Sequence, residues 1–235
     1  LQEGITMKRY QSGFTLIEIA IVLVIIGLLL GGVLKGQELI NSAKVKNLSA
    51  DFKNIPIFIY GYQDKFKALP GDDSAAATHL TGATNATTPA GTQGNGVING
   101  NWNTTTNTDE SFLFWQHVRL AGLAPGPTSV GDADYIPRNA VSGKIGIQGG
   151  TSVLASTPVK DANGVAIRGA YIICSEGILG KFAKQMDTTL VDGNTATGSM
   201  LVTPTTGYAM GGTGPAATTT AAIDDATSYT VCMGV

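Results

Sequence analysis

The sequence predicts an α+β fold: a long N-terminal helix, half of it transmembrane, packed on a small antiparallel sheet. Three observations point there. Positions 14–34 are a membrane-length apolar run, positions 35–67 keep a helical period, and short strand-like stretches recur after position 140 between Gly- and Thr-rich loops. A chain of 235 residues suits one globular domain beside the apolar run. With 14% charged residues and a net charge of −2, it offers no electrostatic case for a nucleic-acid partner. The 31 glycines, with many threonines, alanines and asparagines, describe a loop-rich surface of small residues.

Residues 1–13 read as a leader. Met7 opens the basic stretch "MKRYQSG", and residues 1–6 read as lying upstream of the true start. The 21 residues that follow, 14–34, make about 32 Å of helix at roughly 1.5 Å per residue, enough to span a bilayer core. Lys8 and Arg9 before the run hold its start in the cytoplasm and send the bulk of the chain outward. A cleaved secretory signal would be shorter and would end in a small-residue site, whereas here "LKGQELINSAKVKN" continues as helix. Glu18 is the single charged residue of the run. A carboxylate in the membrane costs roughly 3 kcal/mol near the centre and less toward an end, so it snorkels to the interface or finds a cation. The segment has no Lys or Arg, which leaves an α-amine made by cutting the chain before Phe14 as the internal candidate.

"GFTLIE" behind a short basic leader resembles the processing site of type IV pilins and type II secretion pseudopilins. The resemblance implies a prepilin peptidase that cuts between Gly13 and Phe14 and N-methylates Phe14. It also implies that Glu18 pairs with the Phe14 amine of a neighbouring subunit, so that assembly satisfies the charge. Many type IV pilins carry a proline early in this helix; this sequence has Gly31, Gly32 and Gly36, which can loosen the helix locally.

The amphipathic continuation, 35–67, carries one apolar stripe, Leu48, Phe52, Ile55, Ile59, Tyr62 and Phe66, with Asp51, Lys53, Asn54 and Asp64 on the polar face. The stripe crosses Pro56 unbroken, which predicts a kink there and not an end. Pro70 and Gly71 close the helix, and 68–235 form the head. From Gly71 to Asp109 the sequence reads as a structured surface loop, in which "ALPGD" and "GNG" further resemble one bacterial branch of pilin-like proteins. "TDESFLFWQHVRLAGLAPG" predicts a helix capped by Thr108 or Asp109, stopped by Gly122 or Pro125, with Phe112, Trp115 and Val118 inward. "KIGIQ", "AIRGAYIIC" and "SYTVCM" predict strands. Between the last two, Ser175 reads as an N-cap, followed by a helix to about Leu190, a turn at Asp192–Asn194 and a short strand. Residues 206–228 read as low-complexity surface or a small hairpin.

Cys174 and Cys232 match no metal-ligand spacing, and export predicts a disulfide between them. His117 has no second histidine at ligand spacing, and no nucleophile elbow or phosphate loop occurs, so the sequence predicts neither metal, cofactor nor enzyme. Asp224 and Asp225, or the Asn/Gly loop, leave a weak expectation of calcium, which some pseudopilins bind in a C-terminal loop.

The leading expectation is a structural subunit of a type IV pilus-like filament. Its expected partners are identical or related subunits, the prepilin peptidase, an inner-membrane assembly platform and, before assembly, the bilayer. The expected location is the inner membrane first and a periplasmic or extracellular filament afterwards. A type II secretion pseudopilin is the nearest alternative, and a membrane-anchored exported binding domain or enzyme is the second; the latter would leave Glu18 without a partner.

Overall fold

The computed structural model describes Gly13 and residues 15–151, 156–209 and 214–235. Phe14 and the leader residues 1–12 lie outside the described residues. The chain divides into two compact units, Leu1–Ser42 and Ala43–Val235. Helix α1, Leu16–Phe66, contributes to both. It runs through Pro56, whose missing N–H removes one helical hydrogen bond without ending the helix. Lys67, at φ 56°, turns the chain out of it.

In the second unit the predicted stripe of α1 is core. Leu48, Phe52, Ile55, Ile59 and Tyr62 are buried, joined by Val45, while Phe66 is half-buried. Lys53, Asn54 and Asp64 are exposed as expected, but Asp51 is half-buried. The segment predicted as surface loop contributes to the core through Leu80, Ile98 and Trp102, and contains one helical turn, α2 (Ala76–His79). His79 therefore ends a helix and is not a loop residue. Helix α3 spans Glu110–Leu120 with Asp109 as its N-cap residue, and Gly122 at φ 76° follows its end.

Four antiparallel strands, β1 (Ile145–Gly149), β2 (Tyr171–Leu179), β3 (Met200–Pro204) and β4 (Ser228–Gly234), form one sheet in the order β1-β2-β4-β3. The last strand enters the middle, so the C-terminal residues are tied into the sheet on both sides. The sheet is buried on both faces, and the strand period of two sorts its side chains. Ile173, Met200, Val202 and Val231 join the core with α1 and α3, whereas Ile172, Cys174, Leu201 and Cys232 meet Trp102, Val159 and Ile167 on the other side. Gly146 of β1 lies against this second layer, and a Cβ there would collide with the Trp102 carbonyl oxygen.

The start of the next helix also departs from the sequence expectation. Ser175 is not an N-cap: β2 continues to Leu179, and helix α4 is Gly180–Leu190. Between Ser175↔Val231 and Ile178↔Tyr229 the register shifts by one residue, and Gly177, at φ 76°, supplies the bulge. Pairing with β4 thus outweighs the local capping preference of serine. Cys174 and Cys232 sit directly opposite across β2 and β4, with Cα atoms 4.1 Å apart, and form the predicted disulfide.

Candidate assembly site

Within the first unit, helix α1 has no polar face from Ile19 to Leu34. From Leu16 to Leu34 its large apolar side chains are exposed, Leu16 by 89% and Leu28 by 73%, and none of the most apolar stretch is buried. A Cβ at Gly27, Gly31, Gly32 or Gly36 would meet nothing within 4 Å. An uncovered apolar surface of this length needs lipid or other helices, and α1 is long and apolar enough to cross a membrane. Its first polar side chain pair after the run, Lys35 and Glu38, forms an exposed ion pair at 2.7 Å.

At the start of the helix the structure places Glu18 in an arrangement the sequence reading overlooked. The Thr15 amide and the Thr15 hydroxyl both donate to Glu18 Oε2 at 2.7 Å, and the Glu18 amide donates to Thr15 Oγ1 at 3.3 Å. With Leu16 as the first helical residue, Thr15 is the N-cap and Glu18 the third position, a reciprocal capping box. The local signal is Thr15-x-x-Glu18, and it overlaps the processing motif. The carboxylate thus satisfies the Thr15 amide while the Thr15 hydroxyl satisfies the Glu18 amide, and the negative charge complements the positive end of the helix dipole. Gly13 has open space around it. The expected pairing with the Phe14 amine lies outside the described residues.

The second unit gathers its polar side chains into loop anchors. Asp72 accepts from the Gly94, Asn95 and Gly96 amides at 2.6, 3.1 and 2.8 Å. Glu110, fully buried, accepts from Thr92 Oγ1 at 2.6 Å and the Asn99 amide at 2.7 Å. Burial raises the pKa of both, opposed by these donors, and together they fix the long segment between α2 and α3. Burial also pushes Asp73 upward, but hydrogen bonds from His79 and Tyr62, each 2.7 Å, and from the Ala75 amide bring it below its usual range. His117 accepts from the Gly71 amide at Nδ1 (2.9 Å), so its Nε2–H donates to the Thr84 carbonyl (2.9 Å). Burial lowers its pKa and keeps the ring neutral. His79 and His117 are therefore structural, engaged with the protein itself. Among the described residues no three His, Cys, Asp or Glu side chains gather as a metal centre.

Residues 8–34 match the family model described as the prokaryotic N-terminal methylation motif, the signature of type IV pilins and pseudopilins. The match covers the N-terminal segment alone. No curated protein and no solved structure matches the chain.

Proposed function

We propose that this chain is a structural subunit of a type IV pilus-like filament, released for assembly when a prepilin peptidase cuts between Gly13 and Phe14. The observation that carries the reading is an uncovered apolar stretch, Leu16–Leu34, whose single acid, Glu18, stands at its start inside the methylation motif. In the bilayer, lipid covers this surface. In a filament, identical or related subunits replace the lipid, their helices bundle along the axis, and the second units form the exterior. Glu18 then meets the methylated Phe14 amine of a neighbour, and an inner-membrane assembly platform carries each subunit from one setting to the other. The motif suggests a structural role and not catalysis. A type II secretion pseudopilin would carry the same motif, so it stands as the alternative reading.

Mature protein from membranes should begin at N-methylated Phe14 by intact mass and N-terminal sequencing, and Gly13→Ala should leave the leader attached. A mature chain that keeps residues ahead of Phe14 overturns the reading.

A further inference from the structure

Three Asn-Gly pairs, Asn95–Gly96, Asn99–Gly100 and Asn163–Gly164, look alike in the sequence. In each, the glycine amide nitrogen can attack the preceding asparagine side chain, because glycine puts no side chain in the way and turns freely. The structure treats the three differently. The Gly96 amide donates to the Asp72 carboxylate at 2.8 Å, a charge-assisted bond within the three-amide anchor of that loop. Asn95 Oδ1 accepts from the Val97 amide at 2.8 Å. Asn99 is half-buried, and its Nδ2 donates to the Val97 carbonyl at 3.0 Å and to Glu110 Oε2 at 3.1 Å. A Cβ at Gly100 would lie 2.7 Å from Ser111 Oγ, so the backbone there is closely packed.

Asn163 and Gly164 sit at the tip of a tight turn. The Asp161 amide donates to the Val165 carbonyl at 2.8 Å and the Gly164 amide to the Asp161 carbonyl at 3.0 Å, with Gly164 at φ 78°. Residues 162–165 are exposed. The Asn163 main-chain amide donates to Asp161 Oδ1 at 2.9 Å, whereas its side chain has no hydrogen-bond partner among the described residues. A Cβ at Gly164 would meet nothing within 4 Å. The base of the turn is held: the Lys160 amide donates to the Pro215 carbonyl at 2.9 Å, the Ala217 amide to the Lys160 carbonyl at 2.8 Å, and the Ala162 amide to the Ala196 carbonyl at 2.9 Å. The tip can therefore open while its base stays fixed, and exposed turns of this kind open at little cost.

We propose that Asn163 is a site of spontaneous deamidation in the folded protein, and that the fold shields Asn95 and Asn99 from the same reaction. The Gly164 amide gives its proton to solvent and its nitrogen bonds to Asn163 Cγ; the Cγ–Nδ2 bond breaks, and that nitrogen leaves as ammonia. Water then opens the cyclic imide at one of its two carbonyls, leaving aspartate, or isoaspartate with an extra methylene in the main chain. Water is the only co-reactant, and nothing is oxidised or reduced. At Gly96 the Asp72 carboxylate holds the proton that has to leave, and its charge opposes the anion that would form. At Asn99 the departing nitrogen is tied to Glu110, and close packing at Gly100 resists the rotation that attack requires. Each converted chain gains a negative charge at an exposed turn beside Asp161, so its surface charge records its age. The chemistry needs no partner and holds whether or not the chain assembles.

The test keeps the full chain folded in detergent, at mildly alkaline pH in heavy-oxygen water, and maps its peptides by mass spectrometry at intervals. Heavy oxygen enters only the acid made during incubation, so conversion during digestion is not counted. Asn163 should convert at least tenfold faster than Asn95 or Asn99, and its product should include isoaspartate, read by isoaspartyl methyltransferase labelling. In the chain unfolded by denaturant the three rates should come within a few-fold of one another, because the shielding belongs to the fold. Equal rates at the three sites in the folded protein, conversion of Asn95 or Asn99 ahead of Asn163, or an unconverted Asn163 over a time in which the unfolded chain converts would each overturn the assignment.

Discussion

Asp51 shows how a single side chain can leave the role its helix position suggests. It falls on the polar face of α1 by sequence, yet it borders a cleft lined by Ile55, Phe58 and Trp115. Burial there pushes its pKa from 3.8 up to about 6. A carboxyl group whose folded pKa lies above its unfolded value stabilises the fold below the unfolded pKa, and that contribution is lost as pH rises through the folded one. Asp51→Asn should therefore match the wild-type Tm near pH 4 and exceed it by a few degrees at pH 8, most of the change falling between pH 4 and 6. His117 contributes with the opposite slope, because burial lowers its pKa, but it is common to both proteins and cancels in the difference. Thermal melts across pH decide the matter; a Tm difference independent of pH would contradict it. Neither the half-buried Asp51 nor the buried Asp187 was legible as such in the sequence, because periodicity assigns a face while burial depends on what packs there from elsewhere in the chain. Thr15 and Glu18 were legible in principle, since a capping box is a purely local signal.

Among the elements, strands and helices with their own period could be read directly: the α1 stripe, α3 with its buried Phe112, Trp115 and Val118, and the three strands later seen as β1, β2 and β4. What the sequence hid is set by pairing. The bulge at Gly177 carries β2 past Ser175 because β4 offers partners as far as Ser228, and no local preference of serine competes with that ladder. The second buried face of the sheet was likewise hidden, although the unbroken "YIIC" run is what a strand covered on both sides looks like. The Cys174–Cys232 bridge joins the two central strands across a separation of 58 residues. Closing a loop of that length restricts the unfolded chain by about 4 kcal/mol in the chain-entropy model. Cys174→Ser paired with Cys232→Ser should lower denaturant stability by up to about that amount. Thiol labelling of the unreduced, denatured wild type should find no free cysteine, and two labelled thiols would refute the bridge.

At the scale of the molecule, the two units solve different problems. Ala43–Val235 buries its own core on both sides of a sheet and anchors its long loops with buried acids. From Leu16 to Leu34 the first unit presents apolar side chains that nothing in the described chain covers, a surface that fits membrane anchoring before assembly. In the proposed filament Glu18 is the residue whose surroundings change on assembly, and its capping box separates two roles that a single substitution would confuse. Glutamine at the third helical position still closes the box but carries no charge, whereas alanine removes both. If a neighbour's Phe14 amine needs the carboxylate, leaving that amine buried and unpaired costs about 3–5 kcal/mol, enough to lower assembly more than tenfold. The direct measurement is the yield of sheared filaments beside the membrane-fraction yield for Glu18→Gln and Glu18→Ala. Charge pairing predicts that both variants insert as well as the wild type or better, and that both lose filaments more than tenfold. Wild-type filament yield from Glu18→Gln would contradict pairing, leaving Glu18 as a helix cap and nothing more.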